Sequence, residues 1–269
     1  MNIYIITMED PLYTVSFIKD ILSVRQEDIK GIAISKGNRL TISKKRSKIV
    51  YLLSLLLIMG PWHFTKNVFI TLVFKIRKRL AKYHLASDPS LKKYAESLGI
   101  PVKEIRSPNK KEFLDYLRSL DIDVIINQSQ NILKKEIIDL PRIGILNRHN
   151  ALLPKNRGRL TPFWVLYKGD EYTGVSIHFV KERLDSGDIV VQEKFKINAK
   201  DSFNSIVKKN YEIAPKLMLK ALDKLERGDR DFMVNDDGLA TYNTIPTFRE
   251  AWKFRKDRVV RCFKGKIGM

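Results

Sequence analysis

The sequence predicts an α/β protein built on a doubly wound, mainly parallel sheet, with a short C-terminal extension. Short apolar runs alternate with amphipathic, helix-like runs through the first half of the chain, which is the pattern of successive βαβ units. Helix-like runs also carry the boundary residues that helices prefer, such as Pro in the first turn and Gly after the last. With 269 residues, 44% of them hydrophobic, the chain can bury one sizeable core.

The elements follow in order along the chain. A first strand is expected at Asn2–Thr7, a helix from Thr14, and a second strand at GIAIS. The segment DPSLKKYAESLG is typical of a helix with Asp88 as N-cap. Next come the strand PVKEI, the helix NKKEFLDYLRSL, the strand DVIIN, the short helix KKEIIDLP and the strand IGILN. The helix PFWVLYKGD, the strands TGVSIHFV and GDIVVQEKFKI, and a long helix from Asp201 to Arg227, with a kink expected at Pro215, complete the pattern.

The charge is unevenly distributed. Lys and Arg number 50 against 30 acids, a net charge of +20. Residues 29–87 contain thirteen basic residues and no acid, and residues 245–269 contain eight basic and two acidic residues, so these stretches contribute +13 and +6. The single cysteine, Cys262, excludes an internal disulfide, and with four scattered histidines no metal site is expected. No secretory signal is apparent, and a cytoplasmic protein is expected.

Residues 44–82 form a basic, apolar insertion. The stretch Ile49–Met59 is apolar apart from Ser54 and is too short to span a bilayer. Basic clusters beside apolar runs are typical of helices that lie in an anionic membrane interface, and residues 251–266 have a similar composition. The alternative is a pair of core-packing helices with solvated basic ends. The first interpretation would make the protein peripheral at the inner membrane face.

Three polar side chains are candidates for chemistry. The stretch GILNRHNALLPKNRG brings Asn147 and His149 to the end of a predicted strand, two residues apart and therefore on the same side. Asp185 lies in the turn RLDSGDI. An amide can donate to a developing oxyanion, an imidazole can transfer a proton, and a carboxylate can orient the imidazole. Residues of these types also cap turns, so the residues alone leave both interpretations open.

Residues 122–197 resemble the 10-formyltetrahydrofolate-dependent formyltransferase family, which has a methionyl-tRNA formyltransferase-like, Rossmann-like fold. The resemblance rests on three spaced segments of this sequence: NRHNALLPKNRG, TGVSIH and LDSG. One departure is Ala151, where the family usually has a small Ser or Gly. The resemblance implies formyl transfer to a primary amine through a tetrahedral intermediate, with Asn147, His149 and Asp185 as the catalytic residues.

The same resemblance implies 10-formyltetrahydrofolate as co-substrate, in a pocket whose walls are largely main chain. One wall matches QNIL, with Asn131 and Leu133, and the other matches VKERLD, with Val180 and Glu182. His178 matches a pocket-lining position, with a structural role as the alternative. Arg157 is expected to bind substrate, by facing its anionic group, or else to brace the loop that follows the catalytic strand.

Three branches of the family differ in the amine that receives the formyl group. The glycinamide ribonucleotide branch needs a Gly-rich phosphate loop after the first strand, but TMEDPLYT has two acids and no glycine. The methionyl-tRNA branch normally adds a C-terminal β-barrel and has Gly-Thr-Pro in that loop, although the charge of +20 suits a tRNA ligand. The sugar N-formyltransferase branch agrees best with the short extension.

The sequence therefore predicts a catalytic domain at residues 1–228 and a short basic extension at residues 229–269. The expected acceptor is a nucleotide- or lipid-linked amino sugar of surface glycan biosynthesis. The alternatives are a methionyl-tRNA formyltransferase-like enzyme without the barrel and a catalytically silent folate- or sugar-binding homologue. A homodimer is a further expectation, and nucleic acid is not an expected partner under the main interpretation.

Overall fold

The computed structural model describes residues 1–36 and 47–263, with side chains up to residue 260. Within these residues seven strands form one central sheet: β1 (Ile3–Thr7), β2 (Ile29–Ser35), β3 (Val102–Ile105), β4 (Val124–Gln128), β5 (Gly144–His149), β7 (Tyr172–Phe179) and β8 (Ile189–Lys196). Two short strands, β6 (Arg157–Gly158) and β9 (Tyr242–Asn243), pair separately in parallel.

The strand order of the central sheet is β3-β2-β1-β4-β5-β7-β8. The first five strands in this order are mutually parallel, and β7 and β8 add two antiparallel strands at one edge. All five residues of β1 are buried, as expected for a central strand covered on both faces. The prediction of a mainly parallel α/β sheet is confirmed.

The helices of the described residues are α1 (Thr14–Arg25), α2 (Lys48–Met59), α3 (Pro61–Ala81), α4 (Leu91–Ser97), α5 (Lys111–Arg118), α6 (Lys135–Ile138), α7 (Thr161–Lys168), α8 (Phe203–Glu226) and α9 (Phe248–Phe263). Apolar residues of α1, α4 and α8 pack in one core cluster against one face of the sheet. Apolar residues of α5 and α6 form a second cluster against the other face. Helices on both faces make the sheet doubly wound.

Helix α4 begins later than the sequence pattern predicts. Its N-cap is Ser90, whose hydroxyl accepts the Lys93 N–H at 3.2 Å, so the prediction of Asp88 as N-cap is wrong. Asp88 instead accepts the Ser90 N–H at 2.9 Å. This bond forms a turn before the helix, because a short Asp side chain readily bonds a backbone amide two residues on.

Helix α3 does not pack as a core helix, so the core-packing alternative is wrong for α3, whereas the end of α2 packs in a core cluster with α7 and α9. Of the α2 residues described, only Ser54 and Ile58 are buried, and α3, which is described in full, has no buried residue. No single helix in the described ranges is long and apolar enough to cross a membrane; α2 and α3 together pass that test but are bent by 119°. The Lys44–Arg46 cluster that precedes them lies outside the described residues.

The C-terminal extension packs into the same body. Met233 pairs with Ile189 at the end of β8, β9 pairs with β6, and α9 lies against α2. Phe254 of α9 contacts Phe163 of α7, with ring centroids 5.1 Å apart. The boundary between residues 228 and 229 stays a prediction, although the residues that follow it complete the walls of the site described below.

Candidate active site

The carboxyl end of β5 carries the candidate chemistry. Ile145 and Leu146 are buried within the sheet, and the strand then reaches the sheet edge with Asn147, paired in register with Asn127 of β4. His149 ends the strand and is buried. Ligands of doubly wound sheets bind at this edge, so the strand delivers an amide and an imidazole where a ligand can reach them.

The three predicted catalytic side chains come together. The Nδ1 atom of His149 lies 3.5 Å from Oδ2 of Asp185. His178 of β7 completes the group: its Nε2 lies 3.7 Å from Oδ1 of Asp185 and 3.4 Å from Nδ2 of Asn147. Two neighbouring strands and one loop therefore contribute to a single cluster, in which His149 and His178 are buried and Asn147 and Asp185 are partly buried.

Asp185 is held by three separate contacts of its loop. Its Oδ2 accepts the backbone N–H of Gly158 at 2.8 Å. The side-chain amide of Asn235 donates to the backbone carbonyls of Asp185 and Gly187, both at 2.8 Å. Asp185 itself adopts a left-handed backbone, with φ +48°, which Asp tolerates better than most residues. These contacts aim the carboxylate at the two histidines.

Both ring nitrogens of His149 face oxygen acceptors. Nε2 lies 2.8 Å from the backbone carbonyl of Asn156, and Nδ1 faces Asp185. A neutral imidazole has one N–H and can donate to only one of these oxygens, whereas the imidazolium ion donates to both. The surroundings of His149 are therefore built to stabilise a ring that has accepted a proton.

His178 is in the opposite state. Its Nδ1 lies 2.8 Å from the carbonyl of Phe179, an acceptor, so Nδ1 carries the proton and Nε2 is left to accept from the amide of Asn147. Complete burial lowers the pKa of His178 below its ordinary value, against the opposing effect of Asp185. The ring is neutral at neutral pH and orients the Asn147 amide. In the sequence, this role of His178 is indicated by a polar residue within a strand whose neighbouring residues are buried.

Comparison with known proteins decides the family. The profile of the formyl transferase family (Formyl_trans_N, "Formyl transferase") matches residues 66–222, which is more than half of the chain and includes the whole cluster. The chain belongs to the formyl transferase family.

One relative of the chain in sequence is a methionyl-tRNA formyltransferase from Thermotoga maritima. It is 34% identical over 183 residues, which are 67% of this chain and 58% of that protein. The chain thus spans less than two thirds of the length of this relative.

Solved structures share the fold. An N-formyltransferase from Helicobacter canadensis, in complex with folinic acid and dTDP-3-aminofucose, superposes with a TM-score of 0.56 at 15% identity, covering 91% of this chain and 71% of that one. A glycinamide ribonucleotide transformylase from Symbiobacterium toebii gives a TM-score of 0.59 at 13% identity, covering 88% and 94%. At these identities the likeness establishes the formyl transferase fold and nothing finer.

Arg157 of this family member braces the loop. Its side chain is fully buried, and its guanidinium donates to Asp237 at 2.6 Å, to the Tyr242 hydroxyl at 2.8 Å and to the Asn235 side chain at 2.8 Å. These partners belong to the C-terminal extension. The prediction that Arg157 binds substrate is not supported, because both Nη groups already donate inside the protein and the remaining donor, Nε, is buried without a partner among the described residues; of the two predicted roles, the structure favours bracing.

The first predicted folate wall of the formyl transferase is a loop pinned from both sides. The Asn131 amide donates to the Ser35 hydroxyl at 2.6 Å. Asn109 donates to the Ile132 carbonyl at 2.8 Å and accepts the Lys134 N–H at 2.9 Å. Asn131 and Asn109 therefore hold the loop in place.

The other predicted folate residues divide into two groups. Leu133 is buried, and Val180 packs against the same core cluster, with its N–H donating to the Ile145 carbonyl at 2.7 Å. Glu182 is exposed and lines a separate cavity of 570 Å³ between residues 181–188 and residues 234–237. Glu182 differs from Leu133 and Val180 in its exposure, but it lies close enough to Lys135, two residues after Leu133, to interact with it electrostatically.

The loop after β1 has no phosphate site of the Gly-rich kind. Asp10 accepts the N–H groups of Tyr13 and Thr14 at 3.0 and 3.3 Å, so a carboxylate already occupies the start of α1. Within the described part of the chain, no group of His, Cys, Asp and Glu side chains could hold a metal ion.

Proposed function

We propose that this chain is an N-formyltransferase that transfers a formyl group from 10-formyltetrahydrofolate to the primary amine of a nucleotide- or lipid-linked amino sugar in surface glycan biosynthesis. The observation that carries the proposed activity is the cluster of Asn147, His149 and Asp185, supported by His178. An amide donor, a proton acceptor and a carboxylate are the groups that acyl transfer to an amine requires.

Each residue has a defined task in this mechanism. When bound, the folate donor supplies the formyl carbon and the nitrogen that leaves. Asn147 donates to the oxyanion that develops when the acceptor amine attacks, with its amide oriented by His178. His149 takes the proton that the amine loses and returns it to the leaving nitrogen. Asp185 stabilises the charged ring between these steps, and no Ser or Cys nucleophile is needed because the acceptor attacks directly.

The chain offers a suitable surface for the folate. The loop at residues 129–134 is fixed by Asn131 and Asn109. Backbone groups can recognise a heterocyclic amide by hydrogen bonds whatever the neighbouring side chains are. Val180 follows directly on β7, and its N–H bonds the carbonyl of Ile145, two residues before Asn147 on β5.

An amino sugar is the acceptor that these observations favour. Asp10 closes the start of α1 and disfavours a phosphate at that helix terminus, as glycinamide ribonucleotide would require. Residues 229–263 are used to hold Arg157 and to pack α9 against the body. The Helicobacter canadensis enzyme of the same fold is described with a nucleotide-linked amino sugar.

A second candidate is formylation of methionyl-tRNA. It is favoured by the 34% identity to an enzyme of that name and by the net charge of +20, which would attract an RNA backbone. The two candidates share the catalytic cluster and differ only in what brings the amine to it.

The deciding experiment is a formyl-transfer assay with 10-formyltetrahydrofolate. Nucleotide-linked amino sugars, lipid-linked amino sugars and initiator methionyl-tRNA are offered in parallel, and products are detected by mass. Formylation of an amino sugar is the expected result, and formylation of the tRNA alone would overturn the acceptor assignment. Binding of folinic acid without formylation of any acceptor would favour a catalytically silent homologue.

A matched pair of variants tests the mechanism. His149→Asn removes the proton acceptor and is expected to lower the rate by at least about 100-fold. His84→Asn makes the same chemical change at an exposed residue and is expected to have no effect. An undiminished rate in His149→Asn would exclude the mechanism.

A further inference from the structure

The helical hairpin of α2 and α3 contacts the body mainly around its bend, with a further ion pair from Lys78 near the end of α3. Ile58, near the end of α2, packs in a cluster with Phe163 and Phe254. The Asn204 amide donates to the Met59 carbonyl at 2.8 Å. At Gly60 the chain turns by 119° into α3, which leaves most of the hairpin surface to solvent.

Helix α3 presents an apolar stripe outwards. With about 3.6 residues per turn, residues three, four or seven apart share one side of a helix. Trp62, Phe69, Leu72, Ile76 and Leu80 have this spacing and are all exposed, Trp62 to 75% and Phe69 to 65%. The stripe therefore lies on the side away from the protein core.

Five of the partly buried residues of α3 lie on the opposite side at the same helical spacing: Phe64, Asn67, Thr71, Phe74 and Lys78. Because this inner side includes Phe64 and Phe74, α3 is apolar on both sides. Soluble proteins direct the apolar side of a surface helix inwards, so the additional outward stripe needs a partner.

Basic residues border the stripe on both sides. On the helical wheel Lys66 and Arg77 fall on one flank, and Lys75 and Arg79 on the other. Neither α2 nor α3 contains an acid. Apolar side chains between two rows of cations complement a surface with a hydrocarbon layer below a layer of anions.

A second aromatic pair lies on the neighbouring helix. Helix α9 packs against α2 and exposes Phe248 and Trp252, whose rings stack with centroids 6.5 Å apart. Trp is favoured at membrane interfaces, where its ring is partly apolar and partly hydrated. Exposed aromatic side chains are therefore present on α9 as well as on α3.

We propose that α3 docks this protein on an anionic lipid bilayer, lying in the plane of the interface with its apolar stripe at the boundary of headgroups and acyl chains. The flanking Lys and Arg side chains contact the lipid phosphates. The 119° bend places α2 out of that plane, as a strut that joins the docked helix to the body.

The docked helix is connected to the catalytic edge. Lys78, on the inner side of α3, forms an ion pair with Glu9, and Glu9 also accepts the Leu91 N–H at 2.9 Å. Glu9 follows the end of β1, at the same sheet edge as Asn147 and His149. This connection suits a lipid-linked amino sugar as acceptor, a consequence that rests on the proposed function, whereas membrane docking itself does not.

Vesicle co-sedimentation of the full chain tests the proposal. At physiological salt the protein is expected to sediment with vesicles of phosphatidylcholine and phosphatidylglycerol and to stay in solution with phosphatidylcholine alone. Binding is measured without donor or acceptor, so its outcome is independent of formyl transfer. Failure to bind the anionic vesicles would overturn the proposal.

Two matched variants place the contact on α3. Phe69→Glu puts a charge into the stripe and is expected to weaken binding at least about tenfold. Val24→Glu makes the same change of charge at a similarly exposed residue of α1, 62% exposed, and is expected to bind like the wild type. Thermal unfolding checks that both variants fold. Equal binding by the two variants would overturn the assignment to α3.

Two further results would replace the proposal with another. A wild-type dimer in light scattering that Phe69→Glu converts to a monomer would mean that a second copy of the chain covers the stripe. Bound protein that resists extraction by alkaline carbonate would mean that the bent pair inserts across the bilayer instead of lying on its surface.

Discussion

Replacing Asp185 by Asn removes one charge and changes little else. Asn has nearly the same shape and tolerates the left-handed backbone of this position, at φ +48°. Its amide oxygen can still accept the Gly158 N–H that Asp185 accepts at 2.8 Å. The variant therefore removes the negative charge beside His149 and keeps the hydrogen bond that holds the loop.

The size of the effect follows from the distance to His149. Opposite unit charges separated by 3.5 Å attract by about 5 kcal/mol at an effective dielectric constant of about 20, which is an upper bound. The two side chains are only 6% and 9% exposed, so solvent screens the pair weakly. Since each factor of ten in rate corresponds to about 1.4 kcal/mol, we expect kcat/KM to fall about 10²- to 10³-fold.

The assay is formyl transfer to the acceptor that the panel identifies, with Asp188→Asn as the control. Asp188 lies in the same loop but pairs with Lys181 at the protein surface, at 3.0 Å, so its replacement should leave the rate unchanged. Unfolding free energies show whether both variants keep the fold. If Asp185→Asn retains activity within about threefold of the wild type, the carboxylate does not stabilise a charged His149, and the proposed proton transfer is wrong.

Three further predictions concern residues that support the site. Folded His178 stays neutral in acid because its pKa is lowered, whereas the unfolded chain takes up a proton. The free energy of unfolding should therefore decrease as the pH falls below about 6.5, by up to about 1.4 kcal/mol per pH unit. His178→Gln should flatten this slope in urea titrations, and an unchanged slope would exclude His178 as its source. Arg157→Met should cost about 2–4 kcal/mol of unfolding free energy because buried acceptors lose their donor; a raised KM at unchanged stability would instead restore a substrate-binding role. Gly158→Ala should lower Tm more than Gly169→Ala does. Both glycines have positive φ, but only at Gly158 would the new Cβ lie 2.0 Å from a backbone carbonyl of β9; equal effects would contradict that overlap.

Sequence reasoning succeeded where the signal is local. The alternation of short apolar runs with helical runs predicted the doubly wound sheet, because period and length are properties of neighbouring residues. Asn147 and His149 were predicted together because they stand two residues apart on one strand. Asp185 was grouped with Asn147 and His149 only through the three spaced segments that resemble the formyltransferase family. Hydrophobic periodicity could not connect it to that pair.

The N-cap of α4 shows the limit of the local signal. Asp88 and Ser90 are both good capping residues, and their order along the chain does not decide between them. The choice was made by the bond from the Ser90 N–H to Asp88, which shifts the N-cap by two residues, from position 88 to position 90. Competing local bonds of similar free energy are resolved only in the folded backbone.

By itself, then, the sequence determined the layered α/β fold and the strand that carries the candidate catalytic pair, Asn147 and His149. The tertiary structure alone decided that His178 is neutral and orients Asn147, that Arg157 braces the extension, and that an apolar stripe of α3 points outwards. The physical reason is the distance along the chain. Arg157 bonds residues about eighty positions away along the chain. The pKa of His178 and the orientation of α3 likewise depend on which distant segments pack against them, and a local sequence pattern does not contain that information.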